Sequence, residues 1–204
     1  MTGEGLRNKV RAFLDEPVPD FRSDDEVYHA LGEGVSFLIE KSCAFYKREK
    51  WAASPVLKPL VMMFSETGVS GGAVNLPPDY YRLVSVRYAS KSMHESERKE
   101  AKIIEVSEQA GVKVNPFMRD SYFVYEYQGV LRFSSPLYDG SYDLVYLRAP
   151  GAPAAAWESP FDSFAGDLLV KYACSALILK DNKPDISAYL MKEVLQTLLQ
   201  KGDD

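Results

Sequence analysis

Gly68-Val69-Ser70-Gly71-Gly72 satisfies the pattern G-x-S-x-G. That pattern holds a serine on a strained turn between a strand and a helix, with its Oγ exposed for acyl transfer. The context here opposes that chemistry. The following Ala73-Val74-Asn75-Leu76-Pro77-Pro78 cannot open a helix, and the downstream His94 arrives with no intervening βαβ unit. Ser70 therefore reads as part of a glycine-rich loop. His29 and His94 are the two histidines of the chain and share no H-x-E or H-x-x-x-H spacing, so a histidine metal site has no support. Cys43 and Cys174 are too few and too far apart for a disulfide framework or a cysteine zinc site. Each sits in an apolar stretch and reads as a core residue. Gly32-x-Gly34 lacks the third glycine of a dinucleotide fingerprint and falls inside a helical pattern. Among the 29 acidic residues no pair stands out for glycosidase-type acid/base work, and Asp24, Asp25 and Glu26 are explained by a helix start. The expectation is a chain that is not an enzyme, with no catalytic residue, no cofactor and no metal ligand.

The charge balance narrows the partners. Lys+Arg 24 against Asp+Glu 29 gives −5, which disfavours sequence-independent nucleic-acid binding by phosphate neutralisation. With 46% hydrophobic and 26% charged residues in 204, the chain has material for a core and a solvated surface. The longest uncharged run, residues 67–78, is Gly/Pro-rich and far short of the ~20 apolar residues that span a bilayer, so no membrane is expected. Met1-Thr2-Gly3-Glu4-Gly5 lacks a signal-peptide pattern, and two cysteines suit a reducing cytoplasm.

The elements that would position any site follow from periodicity. Leu6, Val10, Phe13 and Leu14 form one helical stripe, ended by Glu16-Pro17-Val18-Pro19. Ser23-Asp24-Asp25-Glu26 is a capping box, and Val27, Leu31, Val35, Leu38 and Ile39 predict a long second helix to about Arg48. Gly32 and Gly34 inside it suggest close packing against another backbone. From residue 60 β-branched and aromatic residues gather in short runs, predicting strands over 60–64, 81–89, 102–107, 122–127, 130–133 and 142–147. Gln128-Gly129 predicts a two-residue hairpin turn and Asp139-Gly140 the next turn, making the last three strands consecutive and antiparallel. Residues 67–78 and 91–101 read as loops. Ser159-Pro160 predicts the start of a third helix carrying Phe161, Phe164, Leu168, Tyr172, Ala176 and Leu179. Asp181-Asn182-Lys183-Pro184 ends it and opens a fourth, with Ile186, Leu190, Val194 and Leu198 on one face.

The predicted class is α+β: a small helical bundle of two N-terminal and two C-terminal helices, residues 1–58 and 157–204, with an inserted antiparallel β-sheet or barrel, residues 59–156. Tyrosine is the one compositional excess, nine of thirteen falling between Tyr80 and Tyr146. On strands they read chiefly as pleat-filling rings, with an exposed aromatic surface for another protein as the alternative. Trp51 and Trp157 read as packing anchors at the joints of the insertion.

This order of parts resembles head-to-tail adaptor (connector, neck ring) proteins of tailed bacteriophages. The resemblance spans nearly the whole chain and rests on the capped helix at Ser23-Asp24-Asp25-Glu26 and on Leu76-Pro77-Pro78-Asp79-Tyr80-Tyr81-Arg82-Leu83-Val84-Ser85-Val86 leading into the strand-rich middle. It extends to Phe161-Asp162-Ser163-Phe164-Ala165-Gly166-Asp167-Leu168-Leu169-Val170-Lys171-Tyr172-Ala173 and the final helix. It implies a homo-oligomeric ring, usually twelve-fold, bound to the portal protein and carrying tail or nozzle proteins, with DNA passing through without specific binding. It also implies location in the virion neck, and in host cytoplasm during assembly. Related adaptors often dock through their C-terminal end, which marks Leu198, Leu199, Lys201, Asp203 and Asp204 as portal-docking residues. The alternative is a carbohydrate- or receptor-binding virion module on the β insertion.

Overall fold

The computed structural model describes residues 1–16, 21–67, 73–90, 99–108, 123–133 and 140–200. The chain divides into two units, Met1–Leu60 with Pro150–Asp204, and Val61–Ala149. The first is helical, the second a sheet, and the fold is α+β as the sequence predicts.

The helical unit has four main helices: α1 (Gly3–Phe13), α2 (Asp24–Phe45), α3 (Ser163–Lys180) and α4 (Pro184–Gln200). Thr2 caps α1, its Oγ1 accepting from the Gly5 N–H at 3.1 Å. The capping box of α2 is complete. Ser23 Oγ accepts from the Glu26 N–H at 3.2 Å, and Glu26 Oε2 accepts from the Ser23 N–H at 3.1 Å. α2 stops three residues earlier than predicted, before a 3₁₀ segment Arg48–Ala53 in which the Trp51 indole N–H donates to the Tyr46 carbonyl at 3.0 Å. α3 starts later than predicted: Asp162, not Ser159, is its N-cap, with Oδ1 accepting from the Ala165 N–H at 2.9 Å. The reason is non-local. Residues 157–159 are held extended by the chain start, through Gly3 N–H to the Trp157 carbonyl at 2.7 Å and Ser159 N–H to the Met1 carbonyl at 2.9 Å.

Side-chain contacts fix the helix directions. The N-terminal end of α2 meets the C-terminal end of α3 through the Arg22–Asp181 ion pair, while Phe37 packs on Tyr172 with tilted rings whose centroids are 4.8 Å apart, so α2 and α3 are antiparallel. Ser175 with Ser187 and Lys171 with Glu193 make α3 and α4 antiparallel too. α2 and α4 therefore point the same way, each packed on α3. Gly34 belongs to this packing: a Cβ there would lie 2.9 Å from Tyr172 Cδ1, so its absence lets α2 close on a side chain of α3 rather than on a backbone. The buried face of α4 is Ser187, Leu190, Val194 and Leu198. Ile186, predicted on that face, is instead 52% exposed, because Ser187 takes the first core position to bond Ser175.

The sheet unit has seven strands: β1 (Val61–Thr67), β2 (Ala73–Asn75), β3 (Tyr80–Ser90), β4 (Lys99–Ile103), β5 (Phe123–Tyr127), β6 (Val130–Phe133) and β7 (Gly140–Arg148), in the order β1-β7-β3-β4-β5-β6-β2. Pairings are antiparallel except β4 with β5, which is parallel. Gln128 (φ 51°) and Gly129 (φ 75°) make the predicted turn between β5 and β6. β7 departs from prediction. It does not pair with β6 but lies between β1 and β3, where its buried Tyr142, Leu144 and Tyr146 find a partner on either side. β4 also begins earlier than predicted and gives way to a 3₁₀ turn, Val106–Glu108. β2 lies within the segment predicted as loop.

In a flat sheet β6 and β7, four strand steps apart, would be separated by about 19 Å. Yet Phe133 of β6 and Tyr142 of β7 have ring centroids 6.5 Å apart, and Tyr88 of β3 lies 5.1 Å from Phe133. The sheet is curled into a half-barrel with these rings inside. That accounts for much of the tyrosine excess: Tyr88, Tyr125, Tyr142 and Tyr146 are buried, while Tyr122 and Tyr138 lie outside the described residues.

Candidate functional site

Ser70 and His94 lie outside the described residues. His29 is exposed on α2, with Nε2 3.5 Å from Glu33 one turn on. Among the described residues no three His, Cys, Asp or Glu side chains are grouped to hold a metal ion, and no helix is long and apolar enough to cross a membrane. Cys174 is fully buried on α3 with Sγ 3.9 Å from the Val10 carbonyl, and burial pushes its thiol up to about 12.

The sheet unit pairs its tyrosine hydroxyls with carboxylates. Tyr142 donates to Glu66 Oε2 at 2.7 Å, Tyr146 to Asp79 Oδ1 at 2.9 Å, and Tyr80 to Glu126. Burial first, then the facing carboxylate, raises the pKa of Tyr142 and Tyr146 above that of free tyrosine. The Tyr142 and Tyr146 hydroxyls are thus proton donors held in the neutral form. Tyr81 and Tyr127 are exposed, each with an arginine over its ring, Arg82 at 5.8 Å and Arg132 at 5.6 Å.

In the helical unit charges gather where α1 ends and α2 begins. Arg11 is 6% exposed at its side chain and binds Asp24 Oδ1 through Nη2 at 2.5 Å, while Arg7 Nη1 reaches Asp24 Oδ2 at 2.7 Å. The Arg11 hydrogen bond, outweighing the cost of burial and helped by Arg7, holds the Asp24 carboxyl below the usual carboxylate range. Arg22 joins Glu16 to Asp181, tying the same end to α3. Every acid in this network has a cationic partner, so it reads as a clamp on helix ends.

What remains is surface. A groove of about 480 Å³ runs along the outward side of α2, lined by Asp25, Tyr28, His29, Gly32, Glu33 and Ser36 and walled by residues 152–154. The lining positions recur at three and four residues, one continuous helical stripe. Gly32 is its floor, where a Cβ would have Pro153 Cδ as its nearest neighbour, 3.6 Å away. On α4 the face turned away from the core carries Asp185, Tyr189 and Lys192, again at four and three residues, and Tyr189 is 68% exposed. Neither stripe is legible in the apolar periodicity, because both are made of polar and aromatic positions on the faces opposite the core. The signal available was the same periodicity read on polar and aromatic positions.

The residues expected to dock on a partner are divided. Leu198 is 2% exposed and belongs to the core between α3 and α4, Leu199 is 48% exposed, and Lys201, Asp203 and Asp204 lie outside the described residues. Trp51 and Trp157 both fall in the helical unit, the Trp157 indole N–H donating to the Pro150 carbonyl at 2.8 Å. The chain matches no protein-family model, and no curated protein is detectably similar to it.

Proposed function

We propose that this chain is a structural head-to-tail adaptor of a tailed bacteriophage, a non-catalytic subunit that forms a ring between the portal protein and the tail or nozzle proteins. The observation that carries the reading is the arrangement of the chain. Its two ends make one helical unit while its middle makes a separate curled sheet, the order of parts on which the resemblance to such adaptors rests. The outward faces of α2 and α4 support it, since a ring subunit meets its two neighbours through two different surfaces. The net charge of −5 also supports it, since an acidic lumen would repel DNA and keep it from sticking in passage.

Mixing the purified chain with purified portal oligomer, followed by native mass spectrometry and electron microscopy, tests the proposal. The expected result is a monomer or small oligomer alone and a ring of copies, twelve by the resemblance, on the portal. Absence of any complex, with portal still competent for other neck proteins, overturns it. A glycan array tests the carbohydrate-binding alternative, for which Phe64, Tyr81 and Tyr127 are exposed rings among the described residues of the sheet unit.

A further inference from the structure

Resting on the ring reading, we infer that the ring is built by the outward face of α4 of one copy seating in the α2 groove of the next, with Tyr189 as the inserted side chain. The occupant of the groove is a second copy of this chain, for three reasons that the helical unit supplies on its own.

First, shape. Tyr189 is a large, mostly exposed aromatic side chain on an outward helix face, and the groove of about 480 Å³ along α2 is large enough to take its ring. Buried aromatic anchors surrounded by polar rims are the usual centres of protein interfaces.

Second, direction. α2 and α4 are parallel within one copy, because each runs antiparallel to α3. Rotation about a ring axis lying along the helices keeps their direction, so α4 of one copy meets α2 of the next in parallel.

Third, charge. With Tyr189 level with Gly32 in that parallel setting, Lys192 lies within about 3 Å, along the axis, of Glu33, and Asp185 within about 1.5 Å of His29. The cation of α4 thus faces an acid of α2, and the acid of α4 faces an imidazole. The antiparallel setting would instead set Lys192 level with His29 and about 6 Å along the axis from Glu33, losing that ion pair. Asp25, which also lines the groove, lies about 4.5 Å along the axis from Asp185, a like-charge approach that the Lys192–Glu33 pair outweighs. The interface is heterologous, each copy using one face toward each neighbour, and so it propagates until the ring closes.

A double variant Glu33→Cys/Lys192→Cys, oxidised with diamide alone and on the portal, reads the interface directly. Each chain then carries one introduced thiol for each neighbour, and a ladder of covalent multimers beyond the dimer is expected, with wild type as background. Single variants should stay monomeric, because the thiol introduced by Lys192→Cys alone faces no second introduced thiol. Dimers from Lys192→Cys alone would show a symmetric α4 contact and overturn the inference, as would a double variant no more cross-linked than wild type. Charge reversal gives the second measurement. Glu33→Lys and Lys192→Glu should each weaken ring formation about tenfold, and the combination should recover most of it. Rings that form on the portal indifferent to all these changes overturn this interface and leave the adaptor reading standing. A ladder from a chain that never binds portal does the reverse.

Discussion

Ser175 Oγ lies 3.0 Å from Ser187 Oγ and donates to the Ser187 carbonyl at 2.9 Å, in the buried seam between α3 and α4. It is a buried polar contact between the two helices, and it decides which side of α4 faces inward. The first prediction follows from it. Ser175→Ala should cost about 1–2 kcal/mol, because the Ser187 hydroxyl is left buried without this partner. Ser175→Ala/Ser187→Ala should cost less than the sum of the two single changes, since the unpaired group is then gone as well. A double-mutant cycle by urea denaturation measures the coupling, and strict additivity would show that the two hydroxyls do not act together.

The clamp at the end of α1 makes stability depend on acid. The folded-state pKa of Asp24 is depressed by Arg11 and Arg7, so its contribution is fully present above the unfolded carboxylate value of about 3.9 and is lost as pH falls through the lower folded value. Asp24→Asn should therefore lower stability at pH 7, where it leaves the buried Arg11 facing a neutral amide, and should flatten the stability profile below about pH 4. Denaturation midpoints of the two proteins from pH 2.5 to 7 check this. Parallel curves would remove Asp24 from the account.

The helix starts and turns legible in the sequence were those whose information is local. Ser23 and Glu26 satisfy each other within one turn, and Gln128-Gly129 sets its own backbone, so both were found from four residues or fewer. The parts that departed from expectation are decided at a distance. Ser159 is a good cap by composition, but Met1 and Gly3 draw residues 157–159 into an extended bridge and pass the capping to Asp162. Tyr142, Leu144 and Tyr146 alternate as a strand should, yet nothing local says that β7 will cross to β1 and β3 rather than continue from β6. Ile186 outranks Ser187 on any apolar scale, and only the Ser175 hydroxyl on another helix reverses the order. The same holds for the surfaces: Leu198 and Leu199 are indistinguishable as a dipeptide, and helix phase alone separates the core residue from the exposed one.

Cysteine chemistry offers a probe of the helical unit. Cys174 is buried and its thiol is pushed up to about 12, so at pH 8 the thiolate that alkylating reagents need is scarce as well as inaccessible. Iodoacetamide should leave Cys174 unmodified in the native protein and modify it only as α1 and α3 come apart. Peptide mass spectrometry along a urea series reads this out, and modification of Cys174 at zero denaturant within minutes would contradict the packing of Val10 against it.

The last prediction separates docking from folding at the end of α4. Leu198 is buried against α3 and Leu199 is half exposed, so equal truncations at adjacent positions should have opposite consequences. Leu198→Ala should cost about 2–4 kcal/mol of stability, the price of a cavity in the seam. Leu199→Ala should change stability by about 0.5 kcal/mol or less, since it removes only exposed surface. If the C-terminal end meets the portal, Leu199→Ala and deletion of residues 201–204 should each weaken portal association at unchanged melting temperature, the deletion through rim charges that govern specificity and on-rate more than affinity. The comparison is made by measuring portal affinity and thermal unfolding for the three variants side by side. Wild-type affinity in both the Leu199→Ala and the deletion variants would move the portal contact away from this end of the chain. Loss of affinity in Leu198→Ala alone would mean only that the helix had come loose from α3, because a core residue acts on a partner through the shape of the surface it supports.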